Sequence, residues 1–486
     1  MRLTIHFETL FRATTLFFAF LLLGIYLWQP DHPYIDGLSI FLAEVLFSVL
    51  YIVNGTFTRR YPSARMISIV VLVFIELRLI AVFLHPNWLF LSSRTTYNTI
   101  NDTLTYVILG TVCCFVGLAS GSILAGRRKI KEVFYSDTRF FSIAGFGCIA
   151  ASLIALAHHY LVGFAGSTMT GDHLNFFTRY VSRFIEPLVL MTISLVAYNR
   201  LERKTIAERS LLILTVFVFL AFLALTGSRA AVYEVFIMVI AAFPTHSGEF
   251  KVKVSVERIA IVAVLMLLVP KTFNYSTNLR VDRYESGMSY EMGASPVFEQ
   301  ISRRLSILEN TMFPLCVKEM GLFDVSDVVN GESTLLASIN RIIPGKILGT
   351  TLFSEFAYCR FWRQGGCIAY DVLGRTDYVA YEWGMWGIGY QLFGYLGGLG
   401  FIFLFTLLLS YVSQKFRNMG TVSSLCLVAL GDYAMQFWVK NLGMDSFAQR
   451  FFTFYFLMMV YLFFLRRVVK KKPHRRVRNS LVLQPI

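Results

Sequence analysis

Long apolar runs, separated by short polar segments that carry most of the charge, dominate this chain from end to end. Many runs reach ~20 residues, enough for a helix to cross a hydrocarbon core of ~30 Å, and a soluble fold does not bury so many helices of that length. The pattern predicts twelve transmembrane helices, at roughly 10–29, 37–56, 66–85, 103–125, 140–163, 178–198, 210–227, 229–244, 256–272, 383–412, 421–439 and 450–466. The first run lacks a strong basic lead and a small-residue cleavage site, so it reads as a retained helix.

Basic clusters follow alternate runs. Arg59, Arg60 and Arg65 follow the second, Arg127 to Lys131 the fourth and Arg200 to Arg209 the sixth. Lys251, Lys253 and Arg258 follow the eighth, Lys415 and Arg417 the tenth, and a basic tail the twelfth. The short loops between, such as Gln29 to Gly37 and Gly163 to Thr178, are almost free of lysine and arginine. The positive-inside rule then places both termini in the cytoplasm and the long stretch 273–382 outside. Four regions result: helices one to nine over 1–272, the external loop with short amphipathic helices over 273–382, helices ten to twelve over 383–466, and a basic cytoplasmic tail over 467–486. No internal repeat or low-complexity linker interrupts them.

Composition sharpens this picture. Of 486 residues, 56% are hydrophobic and 15% charged, outside the range of soluble globular chains. The net charge of +15 sits at helix ends, where it meets anionic lipid headgroups. No soluble segment interleaves a basic stripe with stacking aromatics, so nucleic acid is not an expected partner.

Ionisable residues inside apolar runs are costly and mark either function or interior pairing. Glu44, Glu76, Arg78, Arg183, Glu186, Arg229, Glu234 and Asp432 lie in such positions and together predict a polar cavity within the bundle. Glu76 and Arg78 are two apart, so a regular helix points them to different faces and each needs a partner on another helix. Arg183 and Glu186 are spaced to pair with each other. Gly394, Gly397, Gly398 and Gly400 give the tenth helix a small-residue packing face. Cys113, Cys114, Cys148 and Cys426 fall in helices and read as packing residues.

The external insertion is too long to be idle. It mixes Arg280, Arg283, Arg303, Arg304, Arg341, Arg360, Arg363 and Arg375 with a similar number of carboxylates. Its apolar patches suggest short helices resting on the bilayer, and its aromatic residues suit a sugar-stacking or lipid-facing cover. Cys359 and Cys367 are candidates for a disulfide on this oxidising side, with Cys316 as the alternative partner. No metal or nucleotide motif is present, and His158, His159 and His173 read as structural or interfacial. An enzyme built this way would take a substrate with its own good leaving group, gripped by arginine. A guanidinium stays charged, holds phosphate oxygens bidentately and stabilises a departing pyrophosphate in a poorly hydrated cavity.

Several stretches resemble one family. Leu225-Thr226-Gly227-Ser228-Arg229-Ala230 is similar to a short turn that opens a helix in bacterial oligosaccharide-repeat polymerases of the Wzy type, the enterobacterial common antigen polymerases in particular. Arg283-Tyr284 resembles a basic-Tyr pair early in that family's main periplasmic loop, and Arg303-Arg304 with Glu309-Asn310 its Arg…Glu-Asn segment. Arg341-Ile342-Ile343-Pro344-Gly345-Lys346 resembles its Ile-Pro…Pro-Gly-Arg/Lys stretch. Gly443-Met444-Asp445-Ser446-Phe447-Ala448-Gln449-Arg450 is similar to its Gly-x-Asp-Ser-Phe-x-x-Arg run before the last helix. The Arg-to-Glu spacing departs from the family's by a residue or two.

The resemblance implies an all-α polytopic membrane protein of the GT-C (class B) glycosyltransferase fold in the bacterial inner membrane. It implies a metal-independent glycosyltransferase with no cofactor, an O-antigen polymerase of the kind that serves lipopolysaccharide and other surface polysaccharides. A growing glycan on undecaprenyl pyrophosphate would move onto the non-reducing end of a new lipid-linked repeat at the periplasmic face. Arg229, Arg283, Arg304 and Arg450 would hold the pyrophosphates, with Arg341, Arg303 and Arg280 as further pyrophosphate-binding residues and Arg341 and Lys346 as second-rank anionic-lipid contacts. Glu309 or Asp445 would take the proton of the attacking hydroxyl. Expected partners are the lipid-linked oligosaccharides, membrane lipids, a chain-length regulator and a flippase. Two rival readings are an O-antigen ligase, with lipid A core as acceptor, and a lipid-linked oligosaccharide flippase.

Overall fold

A computed structural model describes residues 3–54, 62–89, 96–126, 251–254 and 384–418, and single residues or pairs at 57, 146, 147, 149, 150, 153, 154, 157, 210, 214, 308, 309, 311, 312, 314 and 315. The described residues form helices and their short connections, apart from one short ribbon in which β1 (Leu3–His6) pairs antiparallel with β2 (Lys251–Val254), Thr4 opposite Lys253. Both segments alternate apolar and polar residues, the period of a strand. The helical class holds among the described residues, with this one ribbon beside the helices.

The helices are α1 (Phe7–Trp28), α2 (Gly37–Val53), α3, α4 (Tyr97–Ala125) and α5 (Gly384–Asn418). Helix α3 runs over Pro62–Val71, passes through a π-helical turn at Leu72–Glu76 and continues over Leu77–Leu84. It stops at His85 because Pro86 disfavours helical geometry in the residue before it. Helix α2 opens on a capping box: Asp36 Oδ1 accepts from Ser39 N at 2.8 Å, and Asp36 N donates to Ser39 Oγ. Thr96 caps α4 by accepting from Thr99 N. Four of the described helices are long and apolar enough to cross a membrane, and α2 is a shorter apolar one. Outward-facing Phe17, Phe20, Leu27, Phe41, Ile52, Leu396 and Leu404 are exposed apolar side chains, as a lipid-facing surface requires. The protein is a helical membrane protein.

The expected first, second, third and fourth spans coincide with α1 to α4, although α4 begins six residues before its expected start at 103. The tenth does not hold as one continuous helix. Gly394, at φ +68°, breaks α5 into a short arm (384–393) and a long arm that fold back on each other. A β-carbon on Gly389 would lie 3.2 Å from Gly398 O, and Trp386 and Ile402 both reach Gly110. The short arm therefore starts near the midpoint of α4 and climbs only ~15 Å, half of a ~30 Å core. Glycine is required at the turn because side-chain-bearing residues avoid this φ.

Between helices in lipid, close packing replaces the hydrophobic drive, and α4 supplies it with small residues. Gly110 receives the Trp386 ring, Gly117 receives Thr406, and Gly121 lies against the backbone of Leu407. Ser410 Oγ donates to Leu118 O at 2.7 Å and lies 2.8 Å from Ser122 Oγ. Helix α4 and the long arm therefore run parallel. Buried residues of α2, α3, α4 and the short arm, among them Leu46, Leu50, Ile75, Leu104 and Trp386, share one core.

One end of this bundle is tied together by polar contacts between loops. His32 Nδ1 accepts from Tyr34 N and Ile35 N at 3.1 and 3.0 Å, which leaves the ring proton on Nε2, 3.4 Å from Val82 O. Tyr97 OH donates to His32 O at 2.6 Å, and Ser39 Oγ lies 2.6 Å from Asn101 Oδ1. The β1–β2 ribbon, which precedes α1, is at the other end.

Candidate functional site

The π-helical turn shapes the site. It inserts an extra residue per turn and so rotates everything that follows relative to what precedes. Glu76 closes the turn and Arg78 is the second residue after it, and both are buried, at 1% and 0% exposure. Both are buried because α3 is enclosed on most sides, and they meet different partners, Arg78 the Glu309 carboxylate and Glu76 the neighbourhood of Glu44.

Among the described residues, Arg78 finds a charged partner on another helical segment, as expected, though outside the expected spans. That partner is Glu309, from the stretch 273–382. Arg78 Nε donates to Glu309 Oε1 at 2.8 Å, and Nη2 donates to the same oxygen. Nη2 also donates to Trp88 O at 2.7 Å, anchoring the 3-10 turn at Pro86–Trp88. Glu309 is 2% exposed. Its second oxygen, Oε2, is buried and accepts no hydrogen bond.

The segment that delivers Glu309 is helical at 308, 309, 311, 312, 314 and 315. Leu308, Met312 and Leu315 recur at helical spacing and bury in the core shared with Met385, Trp386 and Tyr390. Apolar anchors thus seat this piece of the insertion within the bundle, near the end of α3 that carries the tied loops. Removing two charges from water costs several kcal/mol per ion, so the pair persists only because each member compensates the other.

A second polar feature lies beside it in sequence. Both Glu76 carboxylate oxygens are buried without a hydrogen-bond partner, and Glu44 of α2 is near enough for the two carboxylates to interact. Tyr106 OH and Trp386 Nε1 are likewise buried without partners. Tyr106 packs edge-on to Tyr390 and Tyr395, on either side of the Gly394 turn.

Of the residues singled out from sequence, the structure describes Glu309, Glu44, Glu76, Arg78, Cys113 and Cys114. The two cysteines are free, Cys114 buried and Cys113 half-buried, as packing residues should be. Arg229, Arg280, Arg283, Arg303, Arg304, Arg341, Lys346, Asp445, Arg450, Cys359 and Cys367 lie outside the described residues, as do Arg183, Glu186, Glu234 and Asp432. The residue that sequence reasoning left without a role was Arg78. Its signal was present: an arginine in an apolar helix with no opposite charge one turn away.

No protein-family model, curated protein or solved structure matches the chain.

Proposed function

We propose that the chain is a metal-independent membrane glycosyltransferase that joins undecaprenyl-pyrophosphate-linked oligosaccharide repeats into a surface polysaccharide at the periplasmic face of the bacterial inner membrane. The observation that carries this reading is Glu309. The carboxylate expected as base comes from the external insertion, sits buried at one end of the bundle, and keeps one oxygen without a hydrogen-bond partner.

In this reading the hydroxyl at the non-reducing end of the new repeat attacks the anomeric carbon of the growing glycan. Its proton passes to Glu309 Oε2, with Asp445 as the alternative base. The bond from the anomeric carbon to the pyrophosphate oxygen breaks, and the electron pair leaves with the lipid pyrophosphate. Arg229, Arg283, Arg304 and Arg450 hold that charge, with Arg341, Arg303 and Arg280 at the lipid's anionic head. A desolvated base with a free oxygen suits general-base catalysis, which contributes ~10²–10⁴-fold.

Topology agrees. The β1–β2 pairing seats residues 3–6 beside 251–254, which supports the even number of crossings that eight expected spans would place between them. That end carries the basic clusters and is assigned to the cytoplasm, with both termini, and the tied loops and Glu309 to the periplasm.

The test is polymer length in cells that depend on this chain. Glu309→Gln, Arg229→Ala and Arg304→Ala should each leave single repeats in place of long glycan. Unchanged length and yield in both arginine variants would sink the assignment.

A further inference from the structure

We infer that Arg78 is a positioning residue for Glu309, fixing which carboxylate oxygen is presented to the acceptor hydroxyl. The inference rests on the reading of Glu309 as base and adds to it a residue from the transmembrane bundle.

The geometry is specific. Arginine and carboxylate pairs are frequently bidentate, with one nitrogen on each oxygen. Here Nε and Nη2 both converge on Oε1, and Oε2 is left without a hydrogen-bond donor. The guanidinium is wholly buried and rigidly planar, so it defines the plane and rotation of the carboxylate. The same Nη2 grips Trp88 O, which ties the carboxylate to the turn that closes α3. Leu308, Met312 and Leu315 place the Glu309 segment, and Arg78 sets the last rotation of its carboxylate.

A lysine at position 78 keeps the charge, and its one nitrogen can reach Oε1 and Trp88 O as Nη2 does, but it lacks the second donor that Nε places on Oε1 and the rigid plane that joins the two. Misplacing a catalytic group by ~1 Å costs about a hundredfold in rate. The inference therefore places the loss in kcat, because Arg78 touches the base and not the substrate.

The experiment uses the full-length purified chain with a lipid-linked repeat, its fold monitored by thermal unfolding in detergent. Expected are a kcat lower by about a hundredfold in Arg78→Lys at unchanged KM, and partial rescue of Arg78→Ala by ethylguanidinium. The exchanged pair Arg78→Glu with Glu309→Arg restores the ion pair and should be folded but inactive. A change in KM alone, or an Arg78→Lys variant with unaltered kinetics, would overturn the inference while leaving the polymerase reading intact, whereas activity in the exchanged pair would remove Glu309 as the base and with it the inference. A wild-type chain that extends no repeat would overturn both.

Discussion

At the scale of single residues, two buried sites govern how this bundle responds to mutation and pH. The first is Arg78 with Glu309, at 0% and 2% exposure. Removing either member leaves an uncompensated buried charge, which costs ~3–5 kcal/mol. Thermal unfolding should show Arg78→Met and Glu309→Leu each strongly destabilised and the double variant largely recovered. Additive losses in the double would mean the two side chains do not depend on each other. The second is His32, whose burial, set against hydrogen bonds to the carbonyls of Val82 and Phe83, holds it below its ordinary value of 6.5. Its Nδ1 accepts two backbone N–H groups, so a proton there breaks both bonds. A group depressed in this way binds more protons when unfolded. Its stabilisation is complete above about 6.5 and is lost as pH falls below that value toward the folded one. The unfolding midpoint should drop on acidification from pH ~7 to ~5, and His32→Asn, which keeps an acceptor oxygen that does not titrate, should flatten the drop. An equal drop in the variant would exclude His32 as its source.

At the scale of elements, sequence and structure part company where geometry departs from regular helix. The apolar runs made α1 to α4 legible, because ~20 such residues have few other fates. The run containing Gly394 looked equally continuous, and its glycines read as a packing face. That reading holds for Gly398, against Gly389 and Tyr106, and for Gly397, against Phe393. Gly394 is instead the turn of a hairpin. Hydropathy averages over a turn made within the membrane and does not register it. The π turn at Leu72–Glu76 was invisible for a similar reason, since one inserted residue leaves the apolar pattern unchanged. Glycine substitutions check this account. Gly121→Ala meets the Leu407 backbone, which cannot swing aside, and should cost ~1–3 kcal/mol. Gly400→Ala meets nothing within 4 Å and should be neutral or stabilising by up to ~1 kcal/mol. Equal unfolding midpoints for the two would contradict the packing described for α4 and the long arm.

At the scale of the whole molecule, what sequence hides is long-range pairing. Arg78 and Glu309 stand 231 positions apart, and no periodicity connects them. Charge alternation gave the expected sidedness, and the β1–β2 ribbon adds a constraint of the same parity from backbone pairing alone. Thr4→Cys with Lys253→Cys should cross-link under mild oxidation in isolated membranes, since paired strand residues come within disulfide reach. Failure to cross-link would remove the structural support for an even number of crossings.

The central claim is that this bundle polymerises lipid-linked glycans with its own side chains. Incubation of the purified protein with one lipid-linked repeat, without metal or nucleotide, tests it directly by gel separation of the products. A ladder of longer lipid-linked glycans, lost in Glu309→Gln, is the predicted result. No ladder, with protein-dependent movement of the repeat between leaflets of liposomes, would contradict it and identify a transporter.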